Sequence, residues 1–211
     1  MTIVDAPGLK DWMSIPGADA VDDTNLNTAA AAADDAVKGW CRRSFEDVGA
    51  GSESVRWFEA LTPDYVLVDD FHTATNLVVA TDDNDDGTAE TVWAAADYQL
   101  EPVNRERDGI TWPFTAISAV NGRCFPKGRR LTQISVTARW GFAETVPGRV
   151  TQAGLIWGAR LFRRKDTPDG LAGGNEFGVV RVNPRPDPDV EAMLMKFRRA
   201  MVGPGAVLIG G

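Results

Sequence analysis

The chain has 211 residues, 44% of them hydrophobic and 25% charged. This suits one large or two small globular domains and excludes wholesale disorder and fibrous classes. Its net charge of −8 argues against coating nucleic acid by phosphate neutralisation, and no run approaches the ~18 apolar residues of a membrane span. Residues 1–10 have neither a basic n-region nor an apolar h-region, so no cleaved secretory leader is expected. Cys41 and Cys124 are far apart and form no CxxC pair. A disulfide framework or structural zinc site is therefore not expected, and synthesis in a reducing cytosol is.

In chain order, a short helix with Leu9, Trp12 and Met13 on one side ends at Ile15-Pro16-Gly17. A longer helix starts near Leu26, with apolar residues at Ala29, Ala30, Ala33, Val37, Trp40, Cys41 and Phe45. Asp22, Asp23 and Thr24 supply acidic and capping groups at its start, and Arg42 and Arg43 follow at its end. The period then changes. Segments 55–60, 65–71, 77–81, 91–93, 97–103, 114–120 and 131–140 are short and rich in Val, Ile, Thr and aromatics, as strands are. Turn signals separate them, and two of these, Asp85-Asp86-Gly87 and Asn121-Gly122, predict hairpin connections.

A helix resumes after Pro147, its face set by Val150, Ala153, Gly154, Trp157, Leu161 and Phe162, with Pro168-Asp169-Gly170 as its stop. Gly154 and Gly158 cost about 1 kcal/mol each against Ala, so a close neighbour is expected there, most simply another helix backbone. A last helix starts at Asp187-Pro188, with Val190, Leu194, Phe197 and Met201 as its buried stripe. The expected fold is α+β: a helical bundle interrupted by an antiparallel sandwich or barrel-like module. The expected division is 1–53 helical, 54–143 β-module, 144–202 helical and packed on the first helix, and 203–211 a tail ordered by a partner. In that tail Val207, Leu208 and Ile209 form a short apolar run.

Charge is unevenly spread. Residues 1–100 hold five basic and twenty acidic side chains, and residues 101–211 seventeen and ten. Taken alone, this favours compensation inside one fold over an acidic surface on one copy meeting a basic surface on the next.

Catalysis has little support. His72 is the sole histidine and has no framed nucleophile beside it, so it reads as a surface or edge residue. Cys41 lies on an apolar helix face as a small hydrophobe, and Cys124 is uncommitted. Asp82, Asn84 and Asp86 before Gly87 match the first half of a calcium loop, but Trp93 stands where the bidentate Glu belongs. An acidic hairpin tip held by Asx turns is the favoured reading. The pairs Asp22-Asp23, Asp34-Asp35 and Asp69-Asp70 are expected to be solvated.

Several ordered strings resemble the head-to-tail connector, or adaptor, family of tailed bacteriophages. They are VTARWGFAETVP ending at Pro147, Gln152-Ala153, and Arg160-Leu161-Phe162-Arg163-Arg164. The Asp-rich hairpin, Asp97–Pro102, Trp112-Pro113-Phe114, Pro168-Asp169-Gly170, Glu176-Phe177-Gly178 and Trp40-Cys41-Arg42-Arg43 are similar to the longer adaptors of siphophages of actinobacteria. The resemblance implies a non-enzymatic virion protein without cofactor, made in the bacterial cytoplasm and placed in the neck between capsid and tail. It implies a dodecameric ring of copies beneath the portal protein, with double-stranded DNA passing through its lumen. A stopper or tail-terminator protein docks on such a ring. It also makes Arg160, Arg163, Arg164 and Lys165, with Val207, Leu208 and Ile209 of the tail, the candidate partner and oligomer contacts. The alternatives are another neck or tail part, such as a stopper or tail terminator, and a calcium-dependent β-sandwich binding module.

Overall fold

The computed structural model describes residues 2–126, 133–164, 171–172, 180–181 and 187–200. Its contacts divide the chain into two compact units, Ser44–Pro147 and Thr2–Arg43 with Gly148–Gly211. The fold is α+β.

The first unit carries β1 (Ser54–Phe58), β2 (Ala60–Thr62), β3 (Tyr65–Phe71), β4 (Val78–Thr81), β5 (Thr91–Val92) and β6 (Tyr98–Glu101). After these come β7 (Glu106–Arg107), β8 (Ile110–Thr111), β9 (Phe114–Ala119) and β10 (Ile134–Ala138). Two four-stranded antiparallel sheets result, ordered β1-β10-β4-β5 and β2-β3-β9-β6. Alternation puts Val66 and Val68 of β3, Ile117 of β9, and Ile134, Val136 and Ala138 of β10 into one core with Val79 and Trp93. A single bridge, Phe71 to Trp140, joins the sheets. This is a sandwich, and among the described residues no closed barrel forms. The Asp-rich loop does close a hairpin, pairing Thr81 with Thr91. Asn121-Gly122 does not: both take positive φ, but β9 pairs with β3 and β6 while β10 lies in the other sheet. That turn hands the chain between sheets.

The second unit holds α1 (Ala6–Met13), α2 (Asp23–Cys41), α3 (Gly148–Arg163) and α4 (Pro188–Leu194), which a 3-10 turn extends through Phe197. A two-stranded ladder pairs β11 (Leu171–Ala172) with β12 (Val180–Arg181). Asp5 caps α1 by accepting from the Gly8 N–H at 2.9 Å, and Asp187 caps α4 from the Asp189 N–H at 3.0 Å. Asp22 makes no such cap on α2; its carboxylate accepts from the Asn25 amide instead. Helix α2 buries Leu26, Ala29, Ala30, Ala33, Val37 and Cys41, the 3.6-residue stripe of its sequence. It stops at Cys41, so Phe45 leaves the stripe and packs on Phe142 in the first unit at 5.4 Å. Trp12 is exposed although Leu9 on the same helix is fully buried.

The glycines of α3 are met by side chains rather than by a helix backbone. A Cβ on Gly154 would strike Val4, and one on Gly158 would lie 2.9 Å from a Leu9 methyl. The N-terminal segment and α1 lie there, and the Ile3 N–H donates to Asp34 at 2.7 Å. Asp34 also pairs with Lys38 at 2.7 Å. That carboxylate is buried, not solvated, because it anchors the incoming chain; Asp70 of β3 is likewise buried, while its neighbour Asp69 pairs with Arg56 at 2.7 Å.

Candidate functional site

Helix α3 amphipathicity buries Val150, Ala153 and Phe162 and turns its basic end outward. Arg163 and Arg164 are exposed there and Arg160 is half-buried. Lys165, Val207, Leu208 and Ile209 lie outside the described residues, as do the Pro168-Asp169-Gly170 and Glu176-Phe177-Gly178 strings and Met201. Three of the seven expected contact residues are thus brought together, on one helix end.

Folding redistributes the charge. The helical unit carries fourteen basic and thirteen acidic residues, since its two segments compensate each other. The β-unit carries eight and seventeen, a net of −9.

The acidic hairpin tip is built from Asp82. Its carboxylate, fully buried, accepts from the Gly87 N–H at 2.6 Å and the Asp86 N–H at 3.1 Å. Asn84 accepts from the same Asp86 N–H at 2.9 Å. The acids that converge are Asp82, Asp86 and Glu90, with one carboxylate oxygen of each within 4.8 Å of the others. Both Asp82 oxygens already serve the turn, which is the Asx-turn reading of the sequence.

A denser polar node has no local sequence motif. Asp47 follows α2 in the chain, and its carboxylate accepts from the Gly49 N–H at 3.1 Å and the Gly51 N–H at 3.0 Å. Arg139, just after β10, adds its Nε at 3.1 Å and its Nη2 at 2.5 Å. Burial works against the Asp47 charge, yet the Arg139 and Gly51 hydrogen bonds outweigh it and hold the carboxyl below its ordinary range. His72 stands 3.9 Å from Asp47 with its side chain only 9% exposed. It is not a surface residue. Burial pushes its pKa down, with Asp47 opposing and Arg139 assisting, so the neutral ring is favoured at neutral pH. Arg105 donates to the His72 carbonyl at 2.7 Å and stacks over Phe114.

The node ties two connectors together. The Val48 N–H donates to the Trp140 carbonyl at 2.8 Å and the Phe142 N–H to the Ser44 carbonyl at 2.9 Å. Gly141 sits between them with φ +131°, and any Cβ there would strike the Glu46 carbonyl. Trp140-Gly141, within the VTARWGFAETVP string, is therefore a crossing point of two chain segments. No nucleophile faces His72 among the described residues. Cys41 is buried, its thiol pushed up to about 11 by burial against the pull of Arg43 and Arg198, and Cys124 is exposed.

No protein-family model matches the chain, and no curated protein sequence matches it. Solved structures do match in fold along almost the whole length. A chain from the neck of an empty gene transfer agent particle, computed with C6 symmetry, superposes with a TM-score of 0.55 and 19% identity. The match covers 95% of this chain and 91% of that one. One from the neck of the native particle, computed with C12 symmetry, gives 0.52 and 18% over 97% and 96% of the two chains. A third, from the virion of the native particle, gives 0.53 and 17% over 95% and 91%. The fold shared with these chains includes both the β-sandwich unit and the helical unit.

Proposed function

We propose that this protein is a structural, non-enzymatic component of the neck of a phage-like virion, and that it assembles there as a ring of identical copies. The observation that carries this reading is the near end-to-end likeness to chains of gene transfer agent necks. Within the neck, the order of motifs resembling the adaptor family favours the ring that docks on the portal and continues the DNA channel, with a further ring or tail docking below. Twelve copies fit the C12 symmetry of one neighbouring structure. The −9 charge of the β-unit suits a wall past which a duplex must slide, because an acidic lining repels phosphate rather than holding it. The exposed Arg163 and Arg164 supply the opposite sign for contact with portal or neighbour.

Electron microscopy of the purified protein, alone and mixed with its portal, tests the proposal. Closed rings, or a portal gaining an extra layer, are the expected result. Monomers that ignore the portal under both conditions would sink it.

A further inference from the structure

One face of the sheet β1-β10-β4-β5 is turned away from the core. Register places Val55, Thr137 and Val78 in one row across it, and Trp57, Ser135, Ala80 and Val92 in the next. Those strand positions include no charged residue, and four are large apolar side chains left open: Val55 at 56% exposure, Trp57 at 38%, Val78 at 40% and Val92 at 64%. Apolar patches that run across several strands are uncommon on monomer surfaces and mark contact sites. Glu53 and Glu59 flank β1 in the chain and Glu90 precedes β5, so the borders of the patch are acidic. Burial among the side chains of a partner removes this surface from water. The partner must carry apolar side chains next to positive charge.

The C-terminal segment has that chemistry. Lys196, Arg198 and Arg199 form a basic root, and residues 201–211 follow with Met201, Val202, Val207, Leu208 and Ile209. The root is fixed: the Arg199 N–H donates to the Cys41 carbonyl at 2.9 Å and Arg198 stacks over Trp40. A chain of eleven residues spans at most roughly 35 Å when fully extended. We infer that the apolar face of β1-β10-β4-β5 is the docking site for the C-terminal segment of a neighbouring copy, laid along the open edge of β1. The inference rests on the ring reading. Tail and sheet are different surfaces, so the contact is heterologous and propagates around a ring instead of closing a two-fold dimer. Edge pairing supplies backbone hydrogen bonds, and the face supplies the pockets.

The test uses full-length chains. Val92→Glu charges the face at its most exposed apolar position, on β5, Trp57→Glu does so on β1 beside the open edge, and Leu208→Glu charges the tail. A fluorescent peptide of residues 196–211 is titrated against each by polarisation. It should bind the Leu208→Glu protein and bind both face variants at least about tenfold more weakly, the loss of roughly 1.4 kcal/mol or more. In sedimentation, each variant alone should assemble poorly, whereas a face variant mixed with the tail variant should give one-to-one pairs, since each contributes one intact half. Circular dichroism of Val92→Glu separates lost docking from lost folding. Equal or absent peptide binding overturns the inference, as does a face variant that forms normal rings but loses a different neck protein. Normal rings from every variant would overturn it and leave the ring reading standing. A wild type that forms no ring while the peptide still binds the face would have the opposite meaning.

Discussion

At the scale of single residues, the Asp47 carboxylate accepts four hydrogen bonds. Its two oxygens serve two backbone N–H groups and the Arg139 guanidinium, with only 8% of the side chain exposed. Asp47→Ala leaves Arg139 without its buried partner and two turn amides without an acceptor, and should cost about 2–3 kcal/mol. Urea denaturation at neutral pH measures that loss. His72 adds a pH dependence whose sign follows from its lowered pKa. The unfolded chain takes up a proton near 6.5, the folded one only at lower pH, so the unfolded state binds more protons in between. Stability therefore falls as pH drops through that window, and His72→Gln should flatten the profile there. An unchanged slope in the variant would show that His72 does not carry the pH dependence in this window. Asp82 gives a third prediction. Because its oxygens accept the Asp86 and Gly87 N–H groups, millimolar calcium should move the melting temperature by less than about 1 °C. A rise of several degrees would establish Asp82, Asp86 and Glu90 as a metal site.

At the scale of elements, the glycines of the helices separate two causes that sequence reading merges. Gly39 of α2 faces open space, whereas Gly154 and Gly158 of α3 face Val4 and Leu9. Gly39→Ala should stabilise by about 0.5–1 kcal/mol through helix propensity alone. Gly154→Ala gains the same propensity but overpacks the contact with the N-terminal segment, a cost of about 1–3 kcal/mol, so its net effect should be destabilising. Thermal melts of the two variants read the contrast directly. The β7–β8 hairpin carries its sequence signal in the turn alone. Asp108-Gly109, both at positive φ, is a two-residue turn signal between Glu106–Arg107 and Ile110–Thr111. Its strands are too short to show alternation, so only the turn announces it.

At the scale of the whole molecule, the reversal Arg163→Glu with Arg164→Glu tests the exposed basic end of α3. The double variant should keep its circular dichroism spectrum and melting temperature, since surface substitutions of this kind usually stay within about 0.5 kcal/mol. It should nevertheless weaken ring or portal assembly, seen as fewer closed particles by electron microscopy at equal concentration. Full assembly by the folded variant would remove these arginines from the contact. Salt gives a companion measurement, because contacts steered by exposed charge weaken as ionic strength rises.

The local elements are legible in the amino-acid order alone, because their signals are short-range. The stripe from Leu26 to Cys41, the Asp187-Pro188 start and the β-rich middle are each written within a few turns or strands of chain. That order also carries the α+β class, since the change of period from helix to strand and back is visible along the chain. The features that emerge only on folding involve partners distant in sequence. Asp47 and Arg139 lie 92 residues apart, and Ile3 and Asp34 lie 31 apart. No local pattern distinguishes such buried acids from the solvated pairs that Asp34-Asp35 and Asp69-Asp70 resemble. The same holds for His72, whose burial depends on a connector leaving α2, and for the open face of β1-β10-β4-β5. Alternation along β1 separates Arg56 from Val55 and Trp57, but only the pairing of β1 with β10, and of β10 with β4, assembles those residues into one apolar surface.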